Sequence, residues 1–326
     1  MTTLRNAFAA ALCACTTFAA PWTWAQPDAY PNRPIRVVVP FAAGGPADVI
    51  AREMALSLGK DLGQPLVVDN LGGGAGVPAL NTVSRSAADG YTLLFAASGN
   101  VVIQPLLTKH RVDILTQLSP VGMVTTSPHV LVVSSKLPVR TVKELTEYAK
   151  AHPGEVNFAS AGVGGLGHLG AELFMRAAGI DARHVPYKGS SQAMTDLASG
   201  QVQAMFSSLP SMKGMIDKGA LRVVGVTGPS PSPAYKDIPV IQQAGVAGFE
   251  YTTWYALYGP AQLPAPIAAR LGAALAKLGA DRAFDERLKA QGVDLHISTA
   301  GQLADRTRKE TAEWDRVIRD AGIALN

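Results

Sequence analysis

Two glycine-rich segments of the chain have the composition of turns that bind an anion through backbone amides. Residues 41–45 (Phe-Ala-Ala-Gly-Gly, the first turn) follow the β-branched run 35–39 and precede a helical apolar pattern. Residues 160–165 (Ser-Ala-Gly-Val-Gly-Gly, the second turn) follow an apolar run at 156–158 and also precede a helical pattern. Such a junction directs unpaired N–H groups and the positive end of a helix dipole to one point. The sequence therefore predicts two anion-binding turns, one in each half of the chain, that belong to two lobes closing on one small acid.

An ionisable side chain follows each turn, and each has two interpretations. Asp48 either neutralises its helix N-terminus and pairs with Arg52, which we favour, or faces the ligand. A carboxylate in a carboxylate site would repel its ligand unless it met a hydroxyl or an ammonium group. His168 is either a solvated side chain paired with Glu172 or a donor that faces the ligand. For His168 the two alternatives stay open.

The residue patterns of known catalytic and cofactor sites are missing from the sequence. Residues 162–167 match G-x-G-x-x-G, but the next strand ends at 185–188 without the acidic residue that a dinucleotide site needs. There is no G-x-S-x-G, H-E-x-x-H, Walker or EF-hand motif, and no two histidines lie within five residues of each other. The sequence therefore predicts no cofactor, no metal site and no enzyme.

Composition points to a globular, exported protein. The chain has 326 residues, 48% hydrophobic and 17% charged, and its net charge is +4. This length predicts two lobes rather than one core. The basic residues are dispersed, which argues against nucleic-acid binding. We expect a monomer.

The N-terminus resembles a secretory signal peptide. Arg5 is the one charge before Asp28, residues 7–20 are mostly small and apolar, and small residues precede Gln26. We predict that residues 1–25 are the signal peptide, cleaved between Ala25 and Gln26, and that the mature protein is periplasmic. Lipid anchoring at Cys15 is the less favoured alternative, since the apolar segment before it is short.

Strands alternate with helices along the chain, which predicts an α/β fold with mostly parallel sheets. Ligands bind at the carboxyl ends of such strands, where both turns and the polar Ser98 and Asn100 lie. The chain passes from one half to the other twice. We therefore predict a two-lobe periplasmic-binding-protein fold (venus flytrap, type II) with two hinge crossings. Its first lobe comprises residues 26–127 plus 253–326, and its second lobe residues 128–252.

Longer segments resemble the Bug receptors, the substrate-binding proteins of tripartite tricarboxylate transporters. Residues 30–48 read Tyr-Pro-Asn-Arg-Pro-Ile-Arg-Val-Val-Val-Pro-Phe-Ala-Ala-Gly-Gly-Pro-Ala-Asp. The similarity continues at Leu-Gly-Gln-Pro (62–65), Asp-Gly-Tyr-Thr (89–92), Ser-Ala-Gly (160–162), Gly-His-Leu (167–169), Val-Pro-Tyr-Lys-Gly (185–189) and Gly-Ala-Leu-Arg (219–222). It covers essentially the whole mature chain.

The resemblance implies a periplasmic receptor that traps a small organic acid between its lobes for a tripartite transporter or a signalling partner. It implies that the two turns bind the carboxylate through backbone amides and bridging waters. The expected ligand-binding residues are Phe41, Ala42, Ala43, Gly44, Gly45, Asp48, Ser98, Asn100, Ser160, Ala161, Gly162, Gly164, Gly165, His168, Tyr187 and Ser207.

Three departures from the family pattern shape the expected ligand. Ala43 replaces a usual proline, residues 70–72 read Asn-Leu-Gly instead of Asn-Arg-Pro, and Ser207 replaces an aspartate. Loss of that acid removes a partner for a ligand ammonium group and leaves space. We therefore expect a di- or tricarboxylate without an amino group, with an aromatic acid as one option. The alternative is a secreted α/β hydrolase of a carboxylate ester or amide that uses Ser98, Ser160 or Ser207.

Overall fold

Two β-sheets with packed helices form the two lobes of the structure, a computed structural model that describes residues 30–108, 112–187, 189–229 and 236–323. The predicted signal peptide, its cleavage position and Cys15 lie outside these residues. Within the described ranges, no helix is both long and apolar enough to cross a membrane.

Eleven strands are present in the described residues, most of them on β-branched or aromatic runs. In chain order they are β1 (Ile35–Val39), β2 (Leu66–Asn70), β3 (Thr92–Ala97), β4 (Leu118–Pro128), β5 (Val130–Ser134), β6 (Asn157–Ser160), β7 (Arg183–Pro186), β8 (Ala204–Ser207), β9 (Leu221–Val226), β10 (Thr252–Pro260) and β11 (Asp294–Leu295).

The same residues contain eleven α-helices, two of which, α1 and α6, begin directly after the glycine turns. They are α1 (Pro46–Leu62), α2 (Val77–Ser84), α3 (Gln104–Leu107), α4 (Ile114–Gln117), α5 (Val142–Ala151), α6 (Leu166–Ala178), α7 (Ser190–Ser199), α8 (Leu209–Asp217), α9 (Ala265–Leu278), α10 (Arg282–Ala290) and α11 (Ala300–Asp320). A 3₁₀ turn at Gly74–Gly76 precedes α2, and a π turn at Gly99–Ile103 precedes α3.

Both sheets are mixed. The first lobe contains a six-stranded sheet in the order β11-β4-β10-β3-β1-β2, and the second a five-stranded sheet in the order β7-β6-β8-β5-β9. Strands β1, β2 and β3 are parallel, as are β6, β7 and β8, whereas β10 and β5 join their sheets antiparallel. The two-lobe α/β prediction is confirmed. The parallel strands carry the turns at their carboxyl ends.

The two passages between the sheets lie side by side. Strand β4 runs to Pro128, and His129 alone separates it from β5. The imidazole of His129 approaches the Tyr251 hydroxyl (3.3 Å) and the Thr253 hydroxyl (3.1 Å) on either side of the start of β10. The backbone N–H of His129 donates to the Thr227 hydroxyl, which donates to the Tyr251 carbonyl. These bonds join the two passages.

The C-terminal helix α11 contacts both lobes. A Thr299–Gln302 capping box begins it, and the helix packs on β4 in the first lobe. Trp314 of α11 makes an edge contact with Tyr251 (5.9 Å between ring centroids), and Arg176 of α6 pairs with Asp320 (2.6 Å). Buried aromatic contacts of this kind contribute roughly 0.5–1.5 kcal/mol beyond their area burial. The second lobe is thus anchored to α11.

Candidate ligand-binding site

A cavity of about 380 Å³ lies between the lobes, at the carboxyl ends of β3, β6 and β8. The first lobe contributes Ala75, Gly99, Asn100 and Gln104, the passage between the sheets contributes His129, and the second lobe contributes residues 160–168 and 205–207. Two larger cavities, of about 630 and 730 Å³, lie along α11 and beside β2 and contain none of the turn residues. Of these three, the interlobe cavity is the one that the second turn lines.

The second turn forms one wall of this cavity. Gly164 has a positive φ of 75°, which favours glycine, and Gly165 caps α6 without a side-chain hydrogen bond. The backbone N–H groups at the N-terminus of α6 are therefore available to an acceptor in the cavity. The Ser160 hydroxyl accepts a bond from the Gly162 N–H (3.2 Å), and the Gly164 N–H donates to Nδ1 of His168 (3.0 Å). These two bonds order the turn.

His168 is buried rather than solvated, with 4% of its surface exposed. Its Nε2 lies 3.6 Å from Oε1 of Glu172, and its ring stacks on that of His184 with centroids 3.6 Å apart. His184 Nε2 lies 2.6 Å from the Ser160 hydroxyl oxygen. Burial, with His168 adding to the effect, lowers the pKa of His184 to about 4. Of the first alternative for His168, the pairing with Glu172 is present, whereas burial of the ring contradicts its solvated position.

The first turn has the same kind of internal bond. The Gly44 N–H donates to Oδ2 of Asp48 (2.9 Å), and Arg52 Nε donates to the same oxygen (3.0 Å). The Arg52 hydrogen bond, with help from the Gly44 amide, lowers the pKa of the Asp48 carboxyl. Asn70 Nδ2 donates to the Phe41 carbonyl. The interpretation of Asp48 as the partner of Arg52 is confirmed.

Polar groups after β3 differ in their bonding. Asn100 accepts the Ala97 N–H (3.2 Å) and donates to the Ala75 carbonyl (3.1 Å), so it ties the glycine-rich loop 72–76 to the π turn. Ser98 is 2% exposed, and its hydroxyl has no hydrogen-bond partner among the described residues. A buried hydroxyl without a partner is uncommon, because its desolvation is uncompensated.

Tyr187 and Ser207 lie at the ends of β7 and β8. The Tyr187 hydroxyl donates to Asp196 (2.8 Å), and Tyr187 is not among the residues that line the cavity. Ser207 lines the cavity, and its hydroxyl lies 3.1 Å from that of Ser211. The partner of Ser207 is therefore another neutral hydroxyl.

The cavity brings together part of the predicted set. The predicted residues that line it are Asn100, Ser160, Ala161, Gly162, Gly164, Gly165, His168 and Ser207. Those outside its lining are Phe41, Ala42, Ala43, Gly44, Gly45, Asp48, Ser98 and Tyr187. Their roles as ligand contacts stay predictions, because no ligand is present in the structure.

Several lining residues were missed by sequence reasoning. Gln104 follows Asn100 by four residues, so helical spacing from Asn100 was a usable signal. Ala75, with a positive φ of 53°, belongs to the glycine-rich loop 72–76. His129 and Met205 carried no local signal, because the folding of the second lobe brings them to the cavity.

The described lining contains no lysine, arginine, aspartate or glutamate. An anion would therefore meet backbone N–H groups and the side chains of Asn100, Gln104, Ser160, His129 and His168. Burial lowers the pKa of His129 to about 4, so this histidine is neutral near pH 7. Neutral dipoles arranged around an anion can bind it without a counter-charge.

Comparison with known proteins identifies the family. The model of the tripartite tricarboxylate transporter family receptor, TctC, matches residues 50–323. The chain is 35% identical over 300 residues to protein BugT of Bordetella pertussis, covering 91% of this chain and 92% of BugT.

Solved structures show the same similarity. The structure of R. palustris Rpa4515 with adipate has a TM-score of 0.77 and 32% identity, and the match covers 90% of this chain and 99% of that one. The structure of MatC (Rpa3494) from Rhodopseudomonas palustris with bound malate has a TM-score of 0.73 and 29% identity. The match covers 89% of this chain and 100% of that one. The matched family is one of transport receptors rather than enzymes, so the hydrolase alternative is rejected. The chain belongs to the tripartite tricarboxylate transporter receptor family and is a solute-binding protein of the periplasmic type.

Proposed function

We propose that this receptor captures a small di- or tricarboxylate in the interlobe cavity, for uptake by the membrane subunits of a tripartite transporter. The observation that carries the proposal is the cavity itself, which has walls from both lobes and contains the second turn. Its described lining includes no aspartate, glutamate, lysine or arginine. Solved structures of relatives with adipate and with malate support the ligand class.

We propose that the ligand lacks an amino group and that its carbon skeleton is aliphatic or aromatic. An ammonium group in this cavity would need a carboxylate partner, and the described lining has none. Ser207, at the end of β8, offers only a hydroxyl that already has Ser211 as a neighbour. Val163, 48% exposed on the second turn, offers an apolar surface to the carbon skeleton.

Binding would close the lobes on the ligand. The second turn and Asn100 with Gln104 lie on opposite lobes, so a ligand that contacts both favours the closed arrangement by its extra affinity for it. We propose that the lobes comprise residues 26–127 with 253–326 and residues 128–252. On closure, the first turn (Phe41 to Gly45) and Ser98 would come into contact with the ligand.

We further propose that the protein is exported by residues 1–25 and works as a monomer in the periplasm. The small-residue pattern before Gln26 supports cleavage there. The family supports a membrane partner. Mass spectrometry of the secreted protein would test the cleavage position: an N-terminus at Gln26 is expected, and a lipidated Cys15 would contradict it.

The function is tested by calorimetry with the mature protein and matched acids. Adipate and malate serve as probes, and aspartate and glutamate, which add an amino group, are the controls. A ligand at one hundred times its dissociation constant stabilises a protein by about 2.7 kcal/mol, which a melting curve detects. Binding of the unaminated acids at least tenfold tighter than of the amino acids is expected. Preference for the amino acids would contradict the proposal.

A further inference from the structure

Three serine hydroxyls form a hydrogen-bonded cluster where β8 ends and α8 begins. Ser207 is the last residue of β8, Ser208 is the N-cap of α8, and Ser211 lies in the first turn of α8. The Ser211 Oγ lies 3.1 Å from the Ser207 Oγ, 3.0 Å from the Ser208 Oγ and 2.7 Å from the Ser208 carbonyl oxygen. Ser207 belongs to the described lining of the interlobe cavity, whereas Ser208 and Ser211 do not.

The Ser208 carbonyl determines the direction of every bond in this cluster. A carbonyl oxygen only accepts, so Ser211 donates its single hydroxyl hydrogen to it. The Ser211 Oγ then has only its two lone pairs for the neighbouring hydroxyls, and each lone pair accepts one hydrogen bond. Ser207 and Ser208 are therefore both donors to Ser211.

This direction leaves Ser207 with lone pairs and without a free hydrogen. Its hydrogen lies on the bond to Ser211, so a ligand group that reaches the Ser207 Oγ from the cavity meets an acceptor. A carboxylate oxygen, itself an acceptor, is disfavoured at this position, whereas a hydroxyl group can donate to it. An ammonium group also donates, but the described lining has no aspartate or glutamate to compensate the loss of its hydration.

The end of β8 lies close to the second turn. Strands β6 and β8 are neighbours in the sheet, with Ala159 paired to Met205. A Cβ atom at Gly167, in the first turn of α6, would lie 2.8 Å from the Phe206 carbonyl oxygen, so α6 begins against the residue that precedes Ser207. A ligand donor at Ser207 would therefore lie near a carboxylate bound by the second turn.

We propose that Ser207 selects the ligand as a hydrogen-bond acceptor, and that the preferred acid carries a hydroxyl group close to one of its carboxylates. The proposal rests on the proposed function of the cavity and narrows it to hydroxy acids. Ser207 contacts the ligand, and Ser211 is a positioning residue that keeps the Ser207 hydrogen away from it.

Succinate and malate provide the first test, because they differ by one hydroxyl group next to a carboxylate. Calorimetry on the wild type should give malate an affinity at least fivefold higher than that of succinate, which is the size of effect that one hydrogen bond produces. Equal affinities, or a preference for succinate, would overturn the proposal and leave the dicarboxylate function intact. If neither these acids nor adipate binds, the proposed ligand class fails instead.

The second test reverses the direction of the Ser207 bond. Ser211→Ala frees the Ser207 hydrogen to donate into the cavity, so the ratio of malate to succinate affinity should fall below about twofold. Ser208→Ala is the matched control, because it removes a hydroxyl from the same cluster but keeps the bond between Ser207 and Ser211, and its ratio should equal that of the wild type. A purely structural role of Ser211 would weaken both acids alike, and the unchanged ratio would contradict the proposal.

The third test needs no ligand. Neutron diffraction from crystals of the ligand-free protein exchanged into heavy water locates the hydroxyl deuterium atoms. The Ser207 deuterium should point at the Ser211 Oγ, and the Ser211 deuterium at the Ser208 carbonyl oxygen. A Ser207 deuterium that points into the cavity would overturn the proposal, whichever acids bind.

Discussion

The two glycine turns have nearly the same backbone geometry and opposite chemistry. Gly44 and Gly164 have φ values of 81° and 75°, and the caps Gly45 and Gly165 are extended, with φ, ψ of −80°, 169° and −73°, 159°. In each turn, a side chain at the third helical position accepts the N–H of the residue four positions earlier. That acceptor is the carboxylate of Asp48 in the first lobe and the imidazole of His168 in the second.

The difference shows that a side chain of the adjoining helix can itself supply the acceptor for an N–H group of such a turn. Asp48 supplies the first turn with its own permanent anion, and Arg52 neutralises it. His168 supplies an acceptor without a charge, so the helix dipole of α6 remains uncompensated at the cavity. We therefore propose that a ligand carboxylate binds at the second turn, which lines the cavity, rather than at the first.

The largest expected effect comes from a negative charge placed in the second turn. Gly164→Asp should weaken dicarboxylate binding more than about 100-fold, equivalent to roughly 2.8 kcal/mol, because the new carboxylate competes for the same amides. Gly44→Asp should cost only about tenfold, since the first turn lies outside the cavity lining and already holds Asp48. Calorimetry on both variants measures the ratio.

Asparagine at the same positions is the matched control, because it tolerates positive φ about as well as aspartate and adds no charge. Gly164→Asn should recover most of the affinity lost in Gly164→Asp. An equal loss in the two Gly164 variants would assign the effect to backbone strain. A larger loss at Gly44 than at Gly164 would reverse the ranking of the turns.

Acid should loosen the second turn before the first. The folded-state pKa of His184, about 4, lies below its ordinary value of 6.5, so the unfolded state takes up the proton first as the pH falls. The contribution of neutral His184 to folding stability is complete above pH 6.5 and is lost as the pH falls toward 4. Hydrogen exchange corrected for intrinsic rates should accelerate several-fold in residues 160–187 between pH 7 and 5, and stay constant in residues 41–52. Equal acceleration in both segments would contradict the claim that acid loosens the second turn first.

Asp48→Asn tests the internal anion of the first turn. The variant keeps an acceptor for Gly44 but loses the ion pair with Arg52, whose side chain is 54% exposed, so we expect a loss of about 1 kcal/mol. Because the folded-state pKa of Asp48 is lowered, this difference is present above about pH 4 and disappears below it. Urea unfolding of both proteins at pH 7 and pH 3 provides the measurement. A constant difference across this range would exclude the ion pair as its source.

The smallest effect is expected at Ser98. This residue lies at the end of β3 in the first lobe, in a position comparable to that of Ser160 at the end of β6 in the second. Ser98→Ala removes a buried hydroxyl that has no partner in the described structure, so stability should change by less than about 0.5 kcal/mol. Ser160→Ala breaks bonds to Gly162 and His184 and should cost about 1–2 kcal/mol. Thermal unfolding compares the two. If Ser98→Ala lowers affinity but not stability, its hydroxyl is a ligand donor.

Sequence patterns predicted the architecture well, because they depend on neighbours along the chain. The β-branched run at 35–39, the glycine turn and the apolar helix face predicted β1, the first turn and α1 in their observed order. Repetition of that unit at 156–178, with two passages between halves, predicted the two lobes.

The site was only partly predictable, since its members come from distant segments. Asn100 and residues 160–168 could be identified from strand ends and glycine spacing. His129 reaches the cavity because β4 continues to Pro128, and nothing near His129 in the sequence indicates this. The position of Ser98 was predicted, but its lack of a partner among the described residues depends on packing.

The sequence by itself determined the α/β class, the two glycine turns and the resemblance to tricarboxylate receptors, because short-range patterns encode each of them. Tertiary structure alone decided what each turn does with its own ionisable residue. Asp48 and His168 look equally ambiguous in the chain, but a proton's location depends on distances to Arg52, His184 and Glu172. Electrostatic energy varies with separation and burial, and neither quantity exists until the strands have been assembled into sheets.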